Sequence, residues 1–579
     1  MKFRFVTQRG RELKKGRVLN VLGINFSLDS GAALAREGRI VAAAAQERFD
    51  RVKHSAAFPV DAIAYCLRHA GLRVDDLDAV AVSWNAGPHL ARPNRLRDAA
   101  YRDHREYMDI IPARLLQLKN DFLPGPRTRI FVSGRNGGLD VRYYDHHLSH
   151  AASAFYASGF HDAAFLTADG YGETVSTLWG EGGASGLQSR GDVAFPHSLG
   201  SVYAAVTQYL GFRANNGEGK VMALAGMGDP ERFRDAFANI LRETEDGFEV
   251  DLSYFAYYHA SKTRYAERFV RAFGPPREPD TELLPRHLNL AASLQEAVER
   301  ILLHLASKIR VETGQRRLCL AGGVALNAVA MGVLEREAGF EEIFVFPAAH
   351  DAGAPAGAAL LLGVDEGARP RTAPWDDRLG PGAEAGATSA ALKNYGLRFE
   401  EPADAAEAAA SRILAGKVVG WMNGRMEFGP RALGARSILA DPRRADMKDI
   451  LNAKVKYRES FRPFAPVVLD YRASEFFEDV RPTPFMNKVV MARGDAKERI
   501  PAVVHDDGSV RVQTVTVQSD PDLARLIGHF EAAAGVPMVI NTSLNKRGQP
   551  ICCTVEDALG TFFTSGMDAL VLGPFLIEK

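Results

Sequence analysis

Short apolar runs alternate with longer amphipathic stretches along most of the 579 residues. The runs are rich in β-branched and small residues and end in Gly, Asp or Asn, which is typical of buried strands. The stretches rich in Ala, Leu, Glu and Arg predict helices. This alternation predicts an α/β protein with helices layered on sheets. The predicted strands cover residues 18–25, 40–45, 79–84, 163–168, 318–321 and 343–346, and the predicted helices cover residues 60–70, 148–157, 287–313 and 403–414.

A change in composition between residues 364 and 402 divides the chain. This stretch contains two runs rich in Pro and Gly and lacks apolar periodicity, so it predicts a linker or a peripheral loop. We therefore expect a first domain over residues 18–363 and a second over residues 403–579. Residues 229–286 are aromatic and charged with weak periodicity, and they predict an insertion in the first domain.

Composition narrows the functional classes. The 71 basic and 71 acidic side chains cancel, which gives no support for a nucleic-acid or membrane-surface protein that works by bulk charge. Four scattered cysteines are too few for a disulfide framework, so we expect a cytoplasmic protein. Residues 1–17, with Glu12 as their only acid, predict a solvated basic extension rather than a secretory signal. The sequence has no uninterrupted run of about 18 apolar residues, so we expect no membrane span.

Two histidines and two aspartates form the sharpest local signal. His146 and His150 are four residues apart, so on a helix the two imidazoles share one face. Asp169 and Asp351 each follow a predicted strand, near the edge where the ligand crevice of an α/β sheet opens. Two imidazoles and two carboxylates suit a divalent ion such as Fe(II), Mn(II) or Zn(II). The alternatives are surface histidines and a simple Asp-Gly turn.

Glycines form a second, weaker signal. A Gly-Gly pair that includes Gly323 follows a predicted strand and leads through Asn327 into a helix, where the backbone can approach an anion closely. The segment that contains Gly217 and Lys220 is similar, and its lysine could lie near phosphate. It does not match a P-loop.

Basic residues recur beside Gly and Pro in the second predicted domain. Arginine forks bind phosphate and carboxylate oxygens, and amide side chains can hydrogen-bond a small neutral group. Arg431, Arg462, Arg511 and Asn541 therefore predict an anion site. Salt-bridged surface positions are the alternative, which fits Arg443 better than Arg431 and Arg462, because prolines fix the backbone beside the latter two.

Together these motifs resemble those of the O-carbamoyltransferases of antibiotic biosynthesis and nodulation-factor modification. The resemblance covers nearly the whole chain and includes residues 46–54 (Gln-Glu-Arg-Phe-Asp-Arg-Val-Lys-His), 427–434 (Glu-Phe-Gly-Pro-Arg-Ala-Leu-Gly) and 461–466 (Phe-Arg-Pro-Phe-Ala-Pro). It implies an actin-like ATPase or sugar-kinase-type duplicated domain, similar to the universal tRNA threonylcarbamoyl transferase. A family-specific α/β C-terminal carbamoyltransferase domain would follow.

The resemblance also implies a reaction. The C-terminal domain would split carbamoyl phosphate to carbamate, which attacks the α-phosphorus of ATP to give carbamoyl adenylate. The N-terminal domain would then pass the carbamoyl group to a hydroxyl of a small-molecule acceptor.

Individual roles are implied as well. A divalent metal ion, with Fe(II) favoured and Mn(II), Zn(II) or Mg(II) as alternatives, would bind to His146, His150, Asp169 and Asp351. ATP would contact Gly170, Lys220, Gly323 and Asn327. Carbamoyl phosphate would bind to Arg431, Lys456, Arg462, Arg511 and Asn541. The catalytic residues would be Lys53, Arg431, Lys456 and Arg511.

One position departs from the family pattern. The family's first loop reads Ser-His-Asp-Ala-Ser-Ala, whereas this chain has Leu28 in place of the histidine. Leucine can neither accept a proton nor form a hydrogen bond. Three hypotheses follow: another residue such as His54 supplies the base, the acceptor is an amine, or the final transfer is altered or lost.

Three other functions are alternatives. A sugar-kinase-like phosphotransferase would leave the basic second domain without a purpose. A tRNA-modifying enzyme is expected to carry a basic footprint, which the balanced charge does not provide. A non-catalytic ATP-dependent scaffold would bind nucleotide without turnover. We therefore expect no nucleic-acid or membrane partner, and the acceptor and the oligomeric state stay open.

Overall fold

The computed structural model describes residues 18–85, 139–259, 261–368 and 375–579. Two sheets of five strands and one sheet of seven strands organise these residues, together with two small hairpins. We refer to strands β1–β12 and their helices as the N-terminal unit and to strands β13–β21 and their helices as the C-terminal unit.

The first five-stranded sheet has the strand order β3-β2-β1-β4-β5. Strands β1, β2 and β3 are antiparallel neighbours, whereas β4 and β5 run parallel to β1. The strands are β1 (Asn20–Asn25), β2 (Gly31–Arg36), β3 (Arg39–Ala45), β4 (Ala79–Val82) and β5 (Asp140–Tyr143), and the helices are α1 (Glu47–Asp50), α2 (Val60–His69) and α3 (His146–Ser158).

The second five-stranded sheet repeats this topology. Its order is β8-β7-β6-β11-β12, in which β6, β7 and β8 are antiparallel while β11 and β12 run parallel to β6. The strands are β6 (Ala163–Ala168), β7 (Val175–Gly183), β8 (Gly186–Ala194), the hairpin β9 (Leu241–Thr244) and β10 (Gly247–Val250), β11 (Arg317–Ala321) and β12 (Glu342–Val345). The helices are α4 (Leu199–Tyr209), α5 (Glu218–Ala225), α6 (Arg234–Ile240), α7 (Glu267–Phe273), α8 (Pro285–Thr313), α9 (Ala328–Glu337) and α10 (Ala354–Asp365). The repeated topology confirms the predicted fold class, α/β with a duplicated N-terminal domain.

The C-terminal unit is built on the seven-stranded mixed sheet, with the order β18-β15-β19-β14-β13-β20-β21. The strands are β13 (Val419–Met422), β14 (Arg436–Ala440), β15 (Ala465–Leu469), β16 (Val489–Met491), β17 (Ser509–Arg511), β18 (Gln513–Val515), β19 (Met538–Ser543), β20 (Ala569–Leu572) and β21 (Phe575–Glu578). The helices are α11 (Ala385–Asn394), α12 (Ala405–Leu414), α13 (Met447–Ile450), α14 (Ala496–Arg499), α15 (Pro521–Ala534) and α16 (Val555–Phe563). A contiguous apolar core, which includes Trp421 and Phe530, packs this sheet against its helices.

Two helices hold the halves of the N-terminal unit together. Helices α3 and α10 each follow the last strand of a half, and they pack closely against one another. A Cβ atom at Gly357 would lie 1.8 Å from the carbonyl oxygen of Ser149, so only glycine permits this approach. The packing brings the start of α3, with His146, next to the turn before α10, which contains Asp351.

The predicted elements agree with these bounds to within two residues at each end. The strand predicted at residues 163–168 has the same limits in the structure. Among the described residues, no helix combines the length and the apolar character needed to span a bilayer.

Candidate functional site

The two predicted histidines and two predicted aspartates come together between the two halves of the N-terminal unit. His146 and His150 lie on one face of α3, with their Nε2 atoms 3.1 Å apart. Asp169 follows β6, and its Oδ2 atom lies 3.3 Å from His150 Nε2. Asp351 begins the short turn before α10, and its Oδ1 atom lies 3.5 Å from His146 Nε2. Four potential ligand atoms from three elements therefore converge on one point.

These separations fit a metal ion. The four atoms all lie within 4.8 Å of one another. Bonds of about 2.0–2.2 Å to imidazole and carboxylate ligands place neighbouring ligand atoms about 3.0–3.5 Å apart. The Nε2 atoms of His146 and His150 face the cluster. Their Nδ1 atoms are buried without a hydrogen-bond partner among the described residues.

The electrostatics of this metal-ligand cluster also favour a cation. Burial by itself would lower the pKa of His146, yet the carboxylates of Asp351 and Asp169 raise it to about 9. Burial would raise the pKa of Asp169, but hydrogen bonds from the two histidines hold it well below its ordinary value. Positive charge is therefore stabilised at the point where the four side chains meet.

Two of the predicted nucleotide-binding glycines hold Asp169 in place. The amide of Gly170 donates to Asp169 Oδ1 at 2.6 Å, and the amide of Gly323 donates to Asp169 Oδ2 at 3.0 Å. A Cβ atom on Gly323 would lie 2.9 Å from the same carboxylate. Asp351 is held by Ser27, whose hydroxyl donates to Asp351 Oδ2 at 3.1 Å.

The other two predicted nucleotide-binding residues are engaged elsewhere. The Asn327 side chain caps α9 through the amide of Ala330 at 3.1 Å and donates to Gln295 Oε1 at 2.8 Å. The ammonium of Lys220, on α5, lies 2.8 Å from the carboxylate of Glu459 in the C-terminal unit. Lys220 therefore links the two units.

Five basic side chains of the C-terminal unit gather without an acidic partner. Among the described residues, none of the five has a carboxylate oxygen within 4.0 Å. Burial lowers the pKa of Arg431 to about 10 and that of Arg458 to about 9, and the nearby Arg462 adds to both shifts. Burial and the neighbouring arginines lower the pKa of Arg511 well below its ordinary value. We call Arg431, Lys456, Arg458, Arg462 and Arg511 the basic cluster. Like charges desolvated together are stable only with a bound anion.

A buried carboxylate shapes the loop that carries Arg431. Glu427 Oε1 accepts hydrogen bonds from the amides of Leu433 at 2.7 Å, Ala435 at 2.6 Å and Arg436 at 3.2 Å. The loop thereby curls around Glu427. The Arg431 guanidinium donates to the carbonyl of Leu326 at 3.4 Å, at the end of the turn Gly323–Leu326. The same turn holds Asp169, so the basic cluster borders the metal-ligand cluster.

Lys456 and Asn541 lie behind the arginines. Lys456 ends the π-helix Leu451–Lys456, a rare conformation that often marks functional sites. Its buried ammonium donates to Ser543 O at 2.6 Å and to Asn545 Oδ1 and O at 2.7 and 2.9 Å. The Asn541 amide donates to Gln513 Oε1 at 2.7 Å, and its own Oδ1 atom is buried without a hydrogen-bond partner among the described residues. Both side chains therefore fix the surrounding loops.

Lys53 lies where the two units meet. Its ammonium donates to Asn216 Oδ1 at 3.3 Å. Burial lowers the pKa of Lys53, and the charge of Arg462 in the other unit contributes. In the same loop Arg51 donates to the carbonyls of Ile551 and Pro550 at 2.7 and 2.9 Å. The sequence motif at residues 46–54 is thus part of the contact between the units.

Arg458 is the member of the basic cluster that sequence reasoning left without a role. It donates to Asn452 Oδ1 at 2.7 Å, and its guanidinium lies 4.5 Å from the centre of the Phe464 ring. Its position between Lys456 and Arg462 in one short basic segment was the available signal. The left-handed backbone at Tyr457, with φ of 50°, turns the chain between them.

Comparison with known proteins identifies both units. A family model described as the carbamoyltransferase N-terminus matches residues 20–360, and one described as the carbamoyltransferase C-terminus matches residues 410–579. The nodulation protein NolNO of Sinorhizobium fredii is 40% identical over 566 residues, which cover 96% of this chain and 79% of that protein. An uncharacterised protein of Synechocystis is 38% identical over 599 residues and covers 97% of both chains.

Solved structures match more distantly. A HypF structure from T. kodakarensis is 15% identical with a TM-score of 0.31, and covers 60% of this chain and 47% of that one. A ROK hexokinase from Thermus thermophilus is 17% identical with a TM-score of 0.28, and covers 60% of this chain and 100% of that one.

Proposed function

Because this chain belongs to the carbamoyltransferase family, we propose that it uses ATP and carbamoyl phosphate to form carbamoyl adenylate and then carbamoylates a hydroxyl of a small natural-product acceptor. The observation that carries the proposal is the adjacency of two opposite sites. A cluster that favours a cation and a cluster that lacks an anion meet at the turn Gly323–Leu326.

The basic cluster would bind the phosphate group of carbamoyl phosphate. Arg431, Arg462 and Arg511 offer guanidinium forks with no competing carboxylate. Their positive charge would also stabilise the phosphate that leaves when the C–O bond to the carbamoyl group is cleaved. Water supplies the oxygen that replaces phosphate on the carbamoyl carbon, so the products of this step are carbamate, inorganic phosphate and a proton.

The N-terminal unit would then activate the carbamate. Carbamate oxygen attacks the α-phosphorus of ATP, a new P–O bond forms, and pyrophosphate leaves with the electron pair. Gly170 and Gly323 would let the nucleotide approach closely, and Lys220 would reach its phosphates by leaving its ion pair with Glu459. A divalent ion held by His146, His150, Asp169 and Asp351 would supply charge neutralisation to those phosphates.

Contact between the units would protect the labile intermediate. Arg51 and Lys220 of the N-terminal unit contact the C-terminal unit. Arg431 of the C-terminal unit contacts Leu326 of the N-terminal unit. Carbamate formed in the basic cluster would therefore reach the nucleotide without crossing open solvent, which suppresses its decomposition.

The proposal is tested by product analysis. Incubation with ATP and carbamoyl phosphate should release pyrophosphate, AMP should follow when hydroxylamine is added to take the carbamoyl group, and both releases should stop when carbamoyl phosphate is omitted. Arg511→Ala should abolish both releases and leave ATP binding intact, whereas Arg444→Ala, which alters an exposed pair with Asp446, should behave as wild type. Release of ADP would instead indicate a sugar-kinase-like phosphotransferase, and ATP binding without turnover would indicate a scaffold.

A further inference from the structure

The loop in which Leu28 replaces the family histidine contacts a second histidine. His54 Nδ1 lies 2.8 Å from Asp29 Oδ1, and the amide of Ser30 joins the two loops by donating to Ser55 O at 2.9 Å. Within its own loop, the His54 amide donates to Glu47 Oε2 at 2.9 Å. Leu28 itself points partly to solvent, with 40% of its surface exposed. The neighbouring loop therefore holds an imidazole against Asp29, the residue that follows Leu28.

The hydrogen bond to Asp29 sets the chemistry of the His54 ring. Burial would raise the pKa of Asp29, but the hydrogen bond with His54 lowers it below its ordinary value, so the ionised carboxylate accepts a hydrogen bond from Nδ1–H. In the neutral imidazole, Nε2 is then the nitrogen that can accept a proton. That atom is buried and has no hydrogen-bond partner among the described residues. A buried polar atom without a partner is unfavourable unless a ligand completes it.

The surroundings place this ring beside the reaction. Lys53, the residue before His54, contacts Asn216. The carboxylate of Glu218 is close enough to His54 for the imidazole charge to lower the pKa of Glu218. Ser27 of the Leu28 loop donates to the metal-ligand residue Asp351. The charged groups near the His54 ring are Asp29, Glu47 and Glu218.

We infer that His54, oriented by Asp29, is the general base that accepts the proton of the acceptor hydroxyl. As the acceptor oxygen attacks the carbamoyl carbon of carbamoyl adenylate, a C–O bond forms and the bond from that carbon to the adenylate oxygen breaks. AMP leaves with the electron pair, and the acceptor proton moves to Nε2. Among the three hypotheses raised by Leu28, this one gives the unpartnered nitrogen a role. The inference rests on the proposed function.

The test separates adenylate formation from transfer. Hydroxylamine attacks carbamoyl adenylate without a base and yields hydroxyurea, so it reports the first step. A panel of sugars, amino sugars and polyols reports transfer to oxygen or nitrogen. The variant is His54→Asn, because the Asn amide can still donate to Asp29 and Asn tolerates the left-handed backbone found here, with φ of 57°.

We expect His54→Asn to form hydroxyurea at the wild-type rate and to lose carbamoylation of the best alcohol by at least about 100-fold. Adding Leu28→His to His54→Asn should restore alcohol carbamoylation to at least about one tenth of the wild-type rate, because it returns an imidazole to the loop. Asp29→Asn should slow the alcohol reaction by at least about tenfold and leave hydroxyurea formation unchanged, because it removes the charge that orients the ring.

Three results would overturn the inference. Equal loss of both reactions in His54→Asn would show that His54 only supports the fold, and unchanged alcohol carbamoylation would show that it is not the base. A wild-type enzyme that makes hydroxyurea but carbamoylates only amines, or nothing in the panel, would remove the need for a base. If the wild-type enzyme forms neither AMP nor hydroxyurea, the proposed function fails and this inference fails with it.

Discussion

The metal-ligand cluster and the basic cluster are both desolvated and charged, but their charges are balanced differently. In the first, Asp169 and Asp351 face His146 and His150, so each carboxylate lies within 3.8 Å of both imidazole nitrogens. In the second, burial and like charges lower the pKa of each cation, and only the charge of Glu459 partly offsets this at Arg458 and Arg462 among the described residues. One site stabilises positive charge and the other is destabilised by it.

This difference indicates the charge of the ligand that each site would bind. The carboxylates of the metal-ligand cluster raise the pKa of His146, so a cation can replace the protons there. The members of the basic cluster have lowered pKa values, so a bound anion would stabilise their charged forms. The contact between Arg431 and Leu326 joins the two. Four substitutions test how charge is balanced in and around the two clusters.

The largest effect is expected at Asp169. Asp169→Asn removes a charge that two histidines and two backbone amides converge on. We expect bound metal to fall by at least about tenfold and AMP formation by at least about 100-fold, measured by elemental analysis and product assay. Asp192→Asn, an exposed substitution on β8, is the matched control. Wild-type metal content in Asp169→Asn would contradict the metal assignment.

The next effect is expected at Arg511. Inorganic phosphate should raise the melting temperature of the wild-type protein by a few degrees, because an anion relieves the basic cluster. Arg511→Gln should lose most of this rise and should itself melt no lower than wild type without phosphate, since it removes one like charge. Arg443→Gln, which alters a pair with Asp441, should keep the full response. A full phosphate response in Arg511→Gln would contradict the anion site.

A buried carboxylate outside both clusters gives a smaller effect with a defined pH dependence. Burial raises the pKa of Asp377 to about 7, so between about pH 5 and 7 the native carboxyl binds a proton that the unfolded chain has released. Raising the pH through this range therefore destabilises the wild-type protein. We expect Asp377→Asn to reduce this loss by about 1–3 kcal/mol, measured by urea unfolding at pH 5 and pH 8. Its exposed neighbour provides the control Asp376→Asn, and identical pH profiles for Asp377→Asn and wild type would refute the shift.

The smallest effect is expected at the link between the units. Glu459→Gln removes the carboxylate that pairs with Lys220 at 2.8 Å and with Arg547 at 3.4 Å. Because partly exposed ion pairs contribute about 1 kcal/mol or less, we expect the KM for ATP to change by no more than about fivefold. Asp446→Asn breaks an exposed pair with Arg444 and should leave the KM for ATP unchanged. A change larger than tenfold would mean that Glu459 acts in the chemistry.

Much of the architecture could be predicted from the chain. The alternation of apolar and amphipathic segments located the ten predicted strands and helices to within two residues, because burial on one face is a local pattern. The spacing of His146 and His150 predicted a shared helix face, which the structure confirms. Neither pattern could indicate that α3 and α10 pack through Gly357, since that contact joins segments about 200 residues apart.

The family and the residue types of the two clusters were thus determined by the sequence alone. Which side chains face ligands and which support loops was decided by tertiary structure. Within the basic cluster, the left-handed backbone at Tyr457 separates Arg458 from Lys456, whose ammonium donates to Ser543 and Asn545. The partner of His54 was likewise decided by the approach of two loops. Charge and hydrogen bonding act across space, and only the folded chain sets those distances.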